Sequence, residues 1–179
     1  MVIHCGNKTV ETIIMKSVKL ILLSIFIFGF GCNKFKDEEL SIQRKDFLGN
    51  ELRTDGYYYS YYENNSSPSE ESIITFFLYR NGVILSSGGY KKTNSDVLEK
   101  EMLERYELLQ NKKTGWGVFI VKDNKIEYEQ WSTSSGGGLP IFKSSYDIEN
   151  DTTLISPCGN IYHFKQFSPK PDSINNFIK

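Results

Sequence analysis

The stretch ITFFLYRNGVILSS, residues 74–87, decides the fold. It places Asn81-Gly82 between two apolar runs, and this dipeptide is typical of a β-hairpin turn whose two central residues accept positive φ. The same arrangement recurs in GVFIVKDNKIEYEQW, where Asp123-Asn124 separates two apolar segments. Further tight connections are indicated at Asn150-Asp151 and at residues 157–160. Consecutive hairpins put neighbouring strands side by side and antiparallel, so the pattern predicts a meander.

The turns divide the chain into about eight strands. Their predicted bounds are 56–62, 73–80, 83–89, 116–122, 125–131, 141–148, 152–156 and 161–167. The polar segments 63–71 and 132–138 are predicted to be loops. A meander has open edges unless its sheet closes. We therefore expect a mainly all-β fold, an antiparallel meander closed or nearly closed into a barrel, with a two-sheet sandwich or an open half-barrel as alternatives.

One segment, NSDVLEKEMLERYELLQNKK at residues 94–113, predicts an inserted α-helix. Asp96 and Glu99 have the spacing of a capping box, and Lys112 and Lys113 suit the negative end of the helix dipole. Four larger side chains fall on one helical face: Leu98, Met102, Tyr106 and Leu109. We expect this face to pack on the barrel, and closure of one barrel mouth is the alternative.

An eight-strand meander in an exported chain of this length resembles the lipocalin-like barrel group. The resemblance implies a barrel that holds a small apolar ligand. The G-x-W signature of that group is missing from the first strand, and Gly115-Trp116 lies at the fourth strand instead. No residue role is therefore transferred from the group to this chain.

The segment MKSVKLILLSIFIFGFGC, residues 15–32, predicts export. Lys16 and Lys19 lead into an apolar run that ends at Gly31. This run fits the core of a secretory signal, about 7 to 15 residues, and is too short for a membrane span of roughly 20. We expect residues 1–14 to be a spurious extension and residues 15–31 to be a signal peptide.

The signal ends at Cys32, and Gly31-Cys32 resembles the end of the lipobox of bacterial lipoproteins. The resemblance implies that Cys32 carries acyl chains such as palmitate and anchors the protein to a membrane of the bacterial cell envelope, facing the periplasm or the surface. Residues 32–46 then form a charged tether, and residues 47–179 form the barrel domain. The tail FSPKPDSINNFIK also resembles the ending of a set of small bacterial lipoproteins.

Composition excludes several function classes. The net charge is −1 for the whole chain and −3 for residues 32–179, so no basic face is indicated and we expect no nucleic-acid partner. His163 is the one histidine of the mature part, and alternation turns it toward water, so we expect neither a metal site nor a cofactor. Glu127 and Glu129 are interpreted as lying on the solvent-exposed face of a strand. No catalytic constellation is found in the sequence. Cys158 is expected to be a buried thiol.

Aromatic residues make up 14% of the chain, and DGYYYSYY at residues 55–62 is the densest run. Tyrosine suits surfaces that bind without full burial. The candidate ligand-binding residues are Tyr57, Tyr59, Tyr61, Trp116, Tyr128 and Tyr146. Ser173 is a candidate O-glycosylation site, in a tail expected to be exposed.

Two functions remain open at this point. The first is the binding of a small apolar or amphiphilic ligand inside the barrel. The second is a non-enzymatic envelope module whose barrel is filled by its own side chains, and which binds a protein or glycan through the tyrosine strand and loops.

Overall fold

The structure, a computed structural model, describes residues 36–64 and 67–178. The chain divides into two compact units; the barrel unit comprises Asp37–Ser134 and Leu139–Lys179, and only Lys36 and Ser135–Gly138 of the other unit are described. The predicted signal peptide and Cys32 lie outside the described residues. The elements in chain order are β1 (Gly56–Asn64), β2 (Ser67–Leu78), β3 (Val83–Lys91), α1 (Ser95–Leu109), β4 (Trp116–Lys122), β5 (Lys125–Trp131), β6 (Ile141–Asn150), β7 (Thr153–Ile155) and β8 (Ile161–Gln166).

The eight strands form a closed antiparallel barrel. Each strand pairs with the next in sequence, and β1 also pairs with β8, from Gly56 opposite Gln166 to Tyr59 opposite His163. This confirms the predicted all-β barrel with one inserted helix, and it is consistent with a lipocalin-like barrel. Closure excludes the open half-barrel and the sandwich, because every strand has a partner on both sides.

The two hairpins that the sequence predicts most clearly have different turns. Asp123 and Asn124 both have positive φ, 50° and 59°, as the two-residue turn requires. Between β2 and β3 only Gly82 has positive φ, and the Gly82 N–H donates to the Tyr79 carbonyl. The connection is therefore a three-residue loop ending on a left-handed glycine, and the prediction of positive φ at Asn81 is wrong.

Two predicted boundaries are also wrong. The polar segment 63–71 is mostly strand, because Glu63 pairs with Glu71 and the β1–β2 hairpin continues to Asn64 opposite Ser67. Backbone pairing extends the ladder there without an apolar pattern. The helix is capped by Asn94, whose side chain accepts a 3.0 Å hydrogen bond from the Val97 N–H, and the predicted box at Asp96 is not its cap.

Alternate residues of the strands fill the barrel interior. This inner core combines aromatic and branched side chains from every strand, and Phe76 within it is 2% exposed. Its strand members are Tyr58, Phe76, Leu78, Ile84, Phe119, Ile126, Tyr128, Tyr146, Ile148, Leu154 and Tyr162. Each stands at the inward position of its strand, as period-two alternation requires.

Parts of the outward faces of β1 to β5 are buried as well, under a second layer. Helix α1 lies against this outer face through Leu98, Met102 and Tyr106, with Leu109 half-buried, which confirms the predicted stripe. Trp116 belongs to this outer core and donates from Nε1 to the Leu109 carbonyl at 2.9 Å. The chain segment around Leu40 and Ile42 and the C-terminal residues 167–178 complete the cover.

The segment before β1 plugs one end of the barrel. Phe47 and Leu52 belong to the inner core, and the Phe47 ring lies 6.1 Å from that of Phe119. Two backbone hydrogen bonds hold the plug: Phe47 donates to the Arg80 carbonyl at 2.7 Å, and Arg53 donates to the Asp151 carbonyl at 3.1 Å. These contacts place the plug at the end that carries the β2–β3 and β6–β7 turns.

Among the described residues, no helix combines the length and the apolar character needed to cross a membrane.

If the plug is part of the folded unit, Phe47→Ala should lower the free energy of unfolding by about 3 to 5 kcal/mol, the usual cost of removing a buried phenylalanine. Urea titration followed by circular dichroism measures this change. Leu48→Ala is the matched control, because Leu48 is the next residue and is 87% exposed. Equal, small losses in the two variants would contradict the role of Phe47 as a plug.

Candidate ligand-binding site

A cavity of about 220 Å³ lies inside the barrel, at the end opposite the plug. Gln130 near the end of β5, Phe142 near the start of β6 and Tyr162 near the start of β8 mark this end. Phe142 is 47% exposed, so the cavity communicates with solvent at its rim. The nine lining residues are Ile74, Phe76, Ile84, Ser86, Tyr128, Gln130, Phe142, Tyr146 and Tyr162.

A column of four nearly parallel aromatic rings crosses the barrel, and three of them line the cavity. Neighbouring rings in the column are 5.1 to 5.6 Å apart between centroids and are inclined by 15° or less. The order of the rings is Tyr58, Phe76, Tyr146 and Tyr128. Such pairs contribute about 0.5 to 1.5 kcal/mol each beyond the burial of their area. The column is therefore a stiff wall.

Tyr162 presents its edge to this column. Its ring lies 5.1 Å from that of Tyr146 at an interplanar angle of 67°. Phe142 stands at the rim, 6.1 Å from Tyr128 and inclined by 55°. A guest in the cavity would therefore meet the faces of some rings and the edges of others, which is the arrangement that aromatic rings prefer among themselves.

The polar groups of the cavity are neutral. The Tyr128 and Tyr146 hydroxyls lie 3.3 Å apart, and burial raises the pKa of Tyr128, Tyr146 and Tyr162. None of the nine lining residues carries a formal charge. The Ser86 hydroxyl and the Gln130 amide make no hydrogen bond within the described part of the chain, so they are available to a guest.

The structure divides the predicted ligand-binding residues among three places. Tyr128 and Tyr146 line the cavity. Tyr57 and Trp116 are buried in the outer core, so Trp116 does not fill the interior. The remaining two, Tyr59 and Tyr61, stand on the outer surface, where they border a depression of about 50 Å³ beside the N-terminus of α1.

The sequence did not single out Ser86 and Gln130, which lie at inward positions without an aromatic or apolar side chain. Alternation along β8, which turns His163 toward water, turns its neighbour Tyr162 inward. Ser86 pairs with Phe76 across the β2–β3 hairpin, and this pairing could have identified it as a lining residue. The bulge between Thr75 and Phe76 shifts the register, so the pairing does not follow from the turn position. Only the folded register identifies it.

A second cavity, of about 260 Å³, lies at the plugged end of the barrel. Charged side chains of the plug, Lys45, Asp46 and Glu51, form its wall, and Leu48 stands over it in solvent. Phe47 and Phe119 of the inner core also line it. It is a surface recess beside the plug and not a continuation of the aromatic site.

The sequence indicated that Glu129 faces solvent. That prediction is wrong, because the side chain is buried. The residue is 2% exposed because the chain at Ser41 and Ile42 covers it. Its carboxylate accepts hydrogen bonds from the Ser41 N–H and hydroxyl, both at 2.5 Å, and from the Ile42 N–H at 3.0 Å. Lys143 pairs with it at 2.6 Å.

The Glu129 contacts determine its ionisation. Burial raises the pKa of the carboxyl group, but hydrogen bonds from Lys143, Ser41 and Ile42 together outweigh burial and lower the pKa to about 2. Glu129 therefore stays ionised at neutral pH. It fixes part of the predicted tether, residues 41 and 42, on the outer face of β5.

Other predicted residues have mixed outcomes. His163 is exposed, as predicted, and its ring lies 6.0 Å from that of Tyr59. Cys158 is a free, exposed thiol, and the prediction of burial is wrong because the β7–β8 turn leaves it in solvent.

The C-terminal tail is packed on the barrel. The Lys170 ammonium group donates to the carbonyls of Thr54 and Leu78 at 2.6 and 2.7 Å, and burial lowers its pKa to about 7. Ser173 is half-buried and its hydroxyl accepts a 2.8 Å hydrogen bond from Asn81, so the expectation of an exposed tail is wrong at this residue. O-glycosylation of Ser173 stays a prediction.

Glu129 predicts a specific pH dependence of stability. Because its pKa falls from the usual 4.5 to about 2 on folding, its ionised form contributes on the order of 3 kcal/mol above pH 4.5, and this contribution disappears as the pH falls from 4.5 to 2. Glu129→Gln should lower the free energy of unfolding at pH 7 and flatten its decline below pH 4.5. Urea titrations at pH steps between 7 and 2 measure both effects.

The neighbouring Glu127→Gln is the control, because Glu127 is exposed on the same strand. Its profile should follow that of the unmodified protein. Parallel profiles for the Glu129→Gln variant and the unmodified protein from pH 7 to 2 would contradict the assignment.

The cavity is concave, uncharged and lined mainly by aromatic side chains. Within residues 36–64 and 67–178, no group of three or more His, Cys, Asp or Glu side chains could hold a metal ion. Comparison with protein-family models, with curated proteins and with solved structures finds no match to this chain.

Proposed function

We propose that this protein binds a small apolar or amphiphilic ligand inside its barrel. The observation that carries the proposal is the aromatic cavity of about 220 Å³, which is open at its rim and lined by nine uncharged residues. Binding sites for small molecules are concave, mostly apolar and equipped with a few polar groups. Ser86 and Gln130 supply such groups here.

The volume limits the ligand. A dry cavity of about 150 Å³ accommodates benzene, so about 220 Å³ accommodates roughly one to two fused rings. The plug at Phe47 and Leu52 prevents a longer molecule from passing through the barrel. A ligand of this size fits the end of the barrel and leaves the ring column in place.

The proposal includes an address in the cell envelope. Export through residues 15–31 and acylation of Cys32 rest on the sequence, because both lie outside the described residues. Asp37 contacts Lys113 and the Leu139 N–H, beside the start of β6 and therefore at the cavity end of the barrel. Five residues span at most about 18 Å, so acylation of Cys32 would hold this end near a bilayer. A ligand that partitions into membranes would then be close to the rim.

The alternative, an envelope module that binds a protein or glycan, is favoured by one observation. Tyr61 is 50% exposed on the outer surface, its ring lies 5.7 Å from that of Tyr59, and Lys92 stands over it at 5.4 Å. An exposed aromatic pair beside a cation can stack on a flat partner. The depression next to it is shallow, so the inner cavity supports the better-defined site.

The proposed function predicts that ligand binding is lost when the cavity is filled. Ser86→Phe places a ring in the cavity, whereas Ser145→Phe places the same side chain at an outward position of β6, opposite exposed Glu127. Each full-length chain is purified in detergent from its own host's membranes and analysed by native mass spectrometry, with circular dichroism to verify folding.

A small molecule should accompany the unmodified protein and the Ser145→Phe variant and be absent from the Ser86→Phe variant. The same bound mass in all three chains would place the ligand outside the barrel. The alternative function, at Tyr59 and Tyr61, would then be the better account.

A further inference from the structure

We infer that the barrel binds an uncharged, flat aromatic molecule of one to two fused rings that carries one hydrogen-bonding group. The inference rests on the proposed function and names the chemical class of its ligand. It follows from three properties of the cavity wall: the parallel rings, the lack of charge and the position of the polar groups.

The rings favour a flat guest. Phe76, Tyr146 and Tyr128 line the cavity as three consecutive members of the ring column, inclined to one another by no more than 14°. A planar guest can extend this stack in parallel at Tyr128, the last ring of the column. Tyr162, whose ring is turned by 67° from that of Tyr146, lines the same cavity. A saturated ring or an alkyl chain is thicker and lacks the quadrupole that orients aromatic contacts.

The lack of charge disfavours ions. A carboxylate would leave water without meeting an opposite charge, and an ammonium group would meet only ring faces and neutral oxygen atoms, since the lining contains no acidic or basic side chain. The tyrosine hydroxyls do not become such partners, because they remain protonated in the folded protein. The cavity is therefore selective against the ionised form of a molecule whose neutral form fits.

The polar groups favour one hydrogen-bonding substituent on the guest. Ser86 on β3 and Gln130 on β5 lie among the lining residues, and neither side chain has a hydrogen-bond partner within the described residues. A hydroxyl, carbonyl or ring N–H on the guest would pair with one of them. A pure hydrocarbon would leave both dependent on water at the rim.

The test compares probes that differ in one property each. 2-Naphthol has the full set of properties, 2-naphthoate adds a charge, 2-decalol is the saturated skeleton, and decanol is a chain. The full-length protein in detergent micelles is titrated with each probe, and binding is followed by saturation-transfer NMR. The Ser86→Phe variant in the same micelles measures the background signal of probe that dissolves in the detergent. If circular dichroism shows that this variant does not fold, Ser86→Leu is used in its place.

We expect 2-naphthol to bind at least about tenfold more tightly than each of the other probes, and its signal to fall to background in the Ser86→Phe variant. Ser145→Phe should bind 2-naphthol like the unmodified protein. Equal or tighter binding of 2-naphthoate, 2-decalol or decanol, again lost in the Ser86→Phe variant, would overturn the ligand class and leave the proposed function standing. Signals at background for all four probes would overturn the proposed function together with the inference.

Discussion

The pairing of β1 with β8 is the constraint on which the rest of the structure depends. It brings the two ends of the meander close together at Gly56. A Cβ atom there would lie 1.9 Å from the Lys165 carbonyl oxygen, and glycine prevents this clash because it has no Cβ. Closure leaves the eight strands no free edge. It also gives each strand an inner and an outer face, and β1 has tyrosines on both: Tyr58 enters the ring column, while Tyr57 enters the outer core.

The outer layer explains how the interior can remain partly open. In a barrel of eight strands the interior is just wide enough for side chains to fill. Here much of the apolar burial lies outside, where α1, the chain around Leu40 and the C-terminal tail cover β1 to β5. Stability is thus shared between two cores, and the inner one does not have to be packed to its rim. Glu129 fixes the segment around Leu40 by accepting a hydrogen bond from the Ile42 N–H. Lys170 fixes the C-terminal tail by donating one to the Thr54 carbonyl.

Local chemistry predicts the elements of this fold well. The turn at Asp123-Asn124 locates β4 and β5 with their observed bounds, and alternation within β5 and β6 directs Tyr128 and Tyr146 inward. The failures involve partners far away in sequence. Glu129 is buried by residues 87 and 88 positions away, and Trp116 faces outward because a helix covers it there. Neither fact can be read from neighbouring residues.

The hydroxyl groups of the tyrosines show why the site lies at one end of the barrel. Tyr57 donates to Glu99, Tyr106 donates to Asp172, and Tyr58 donates to the carbonyl of Asp151, so the hydroxyls near the helix, the tail and the plug have strong acceptors. At the cavity end the hydroxyl groups have neutral partners: Tyr146 contacts Tyr128, at 3.3 Å, and Tyr162, while Tyr128 also contacts Ser144. At this end the hydroxyls carry no charge, and Tyr128, Tyr146 and Tyr162 line a cavity that is open at its rim. A neutral, ring-lined cavity distinguishes this end of the barrel from the plugged one, and it is chemically matched by a flat, uncharged guest.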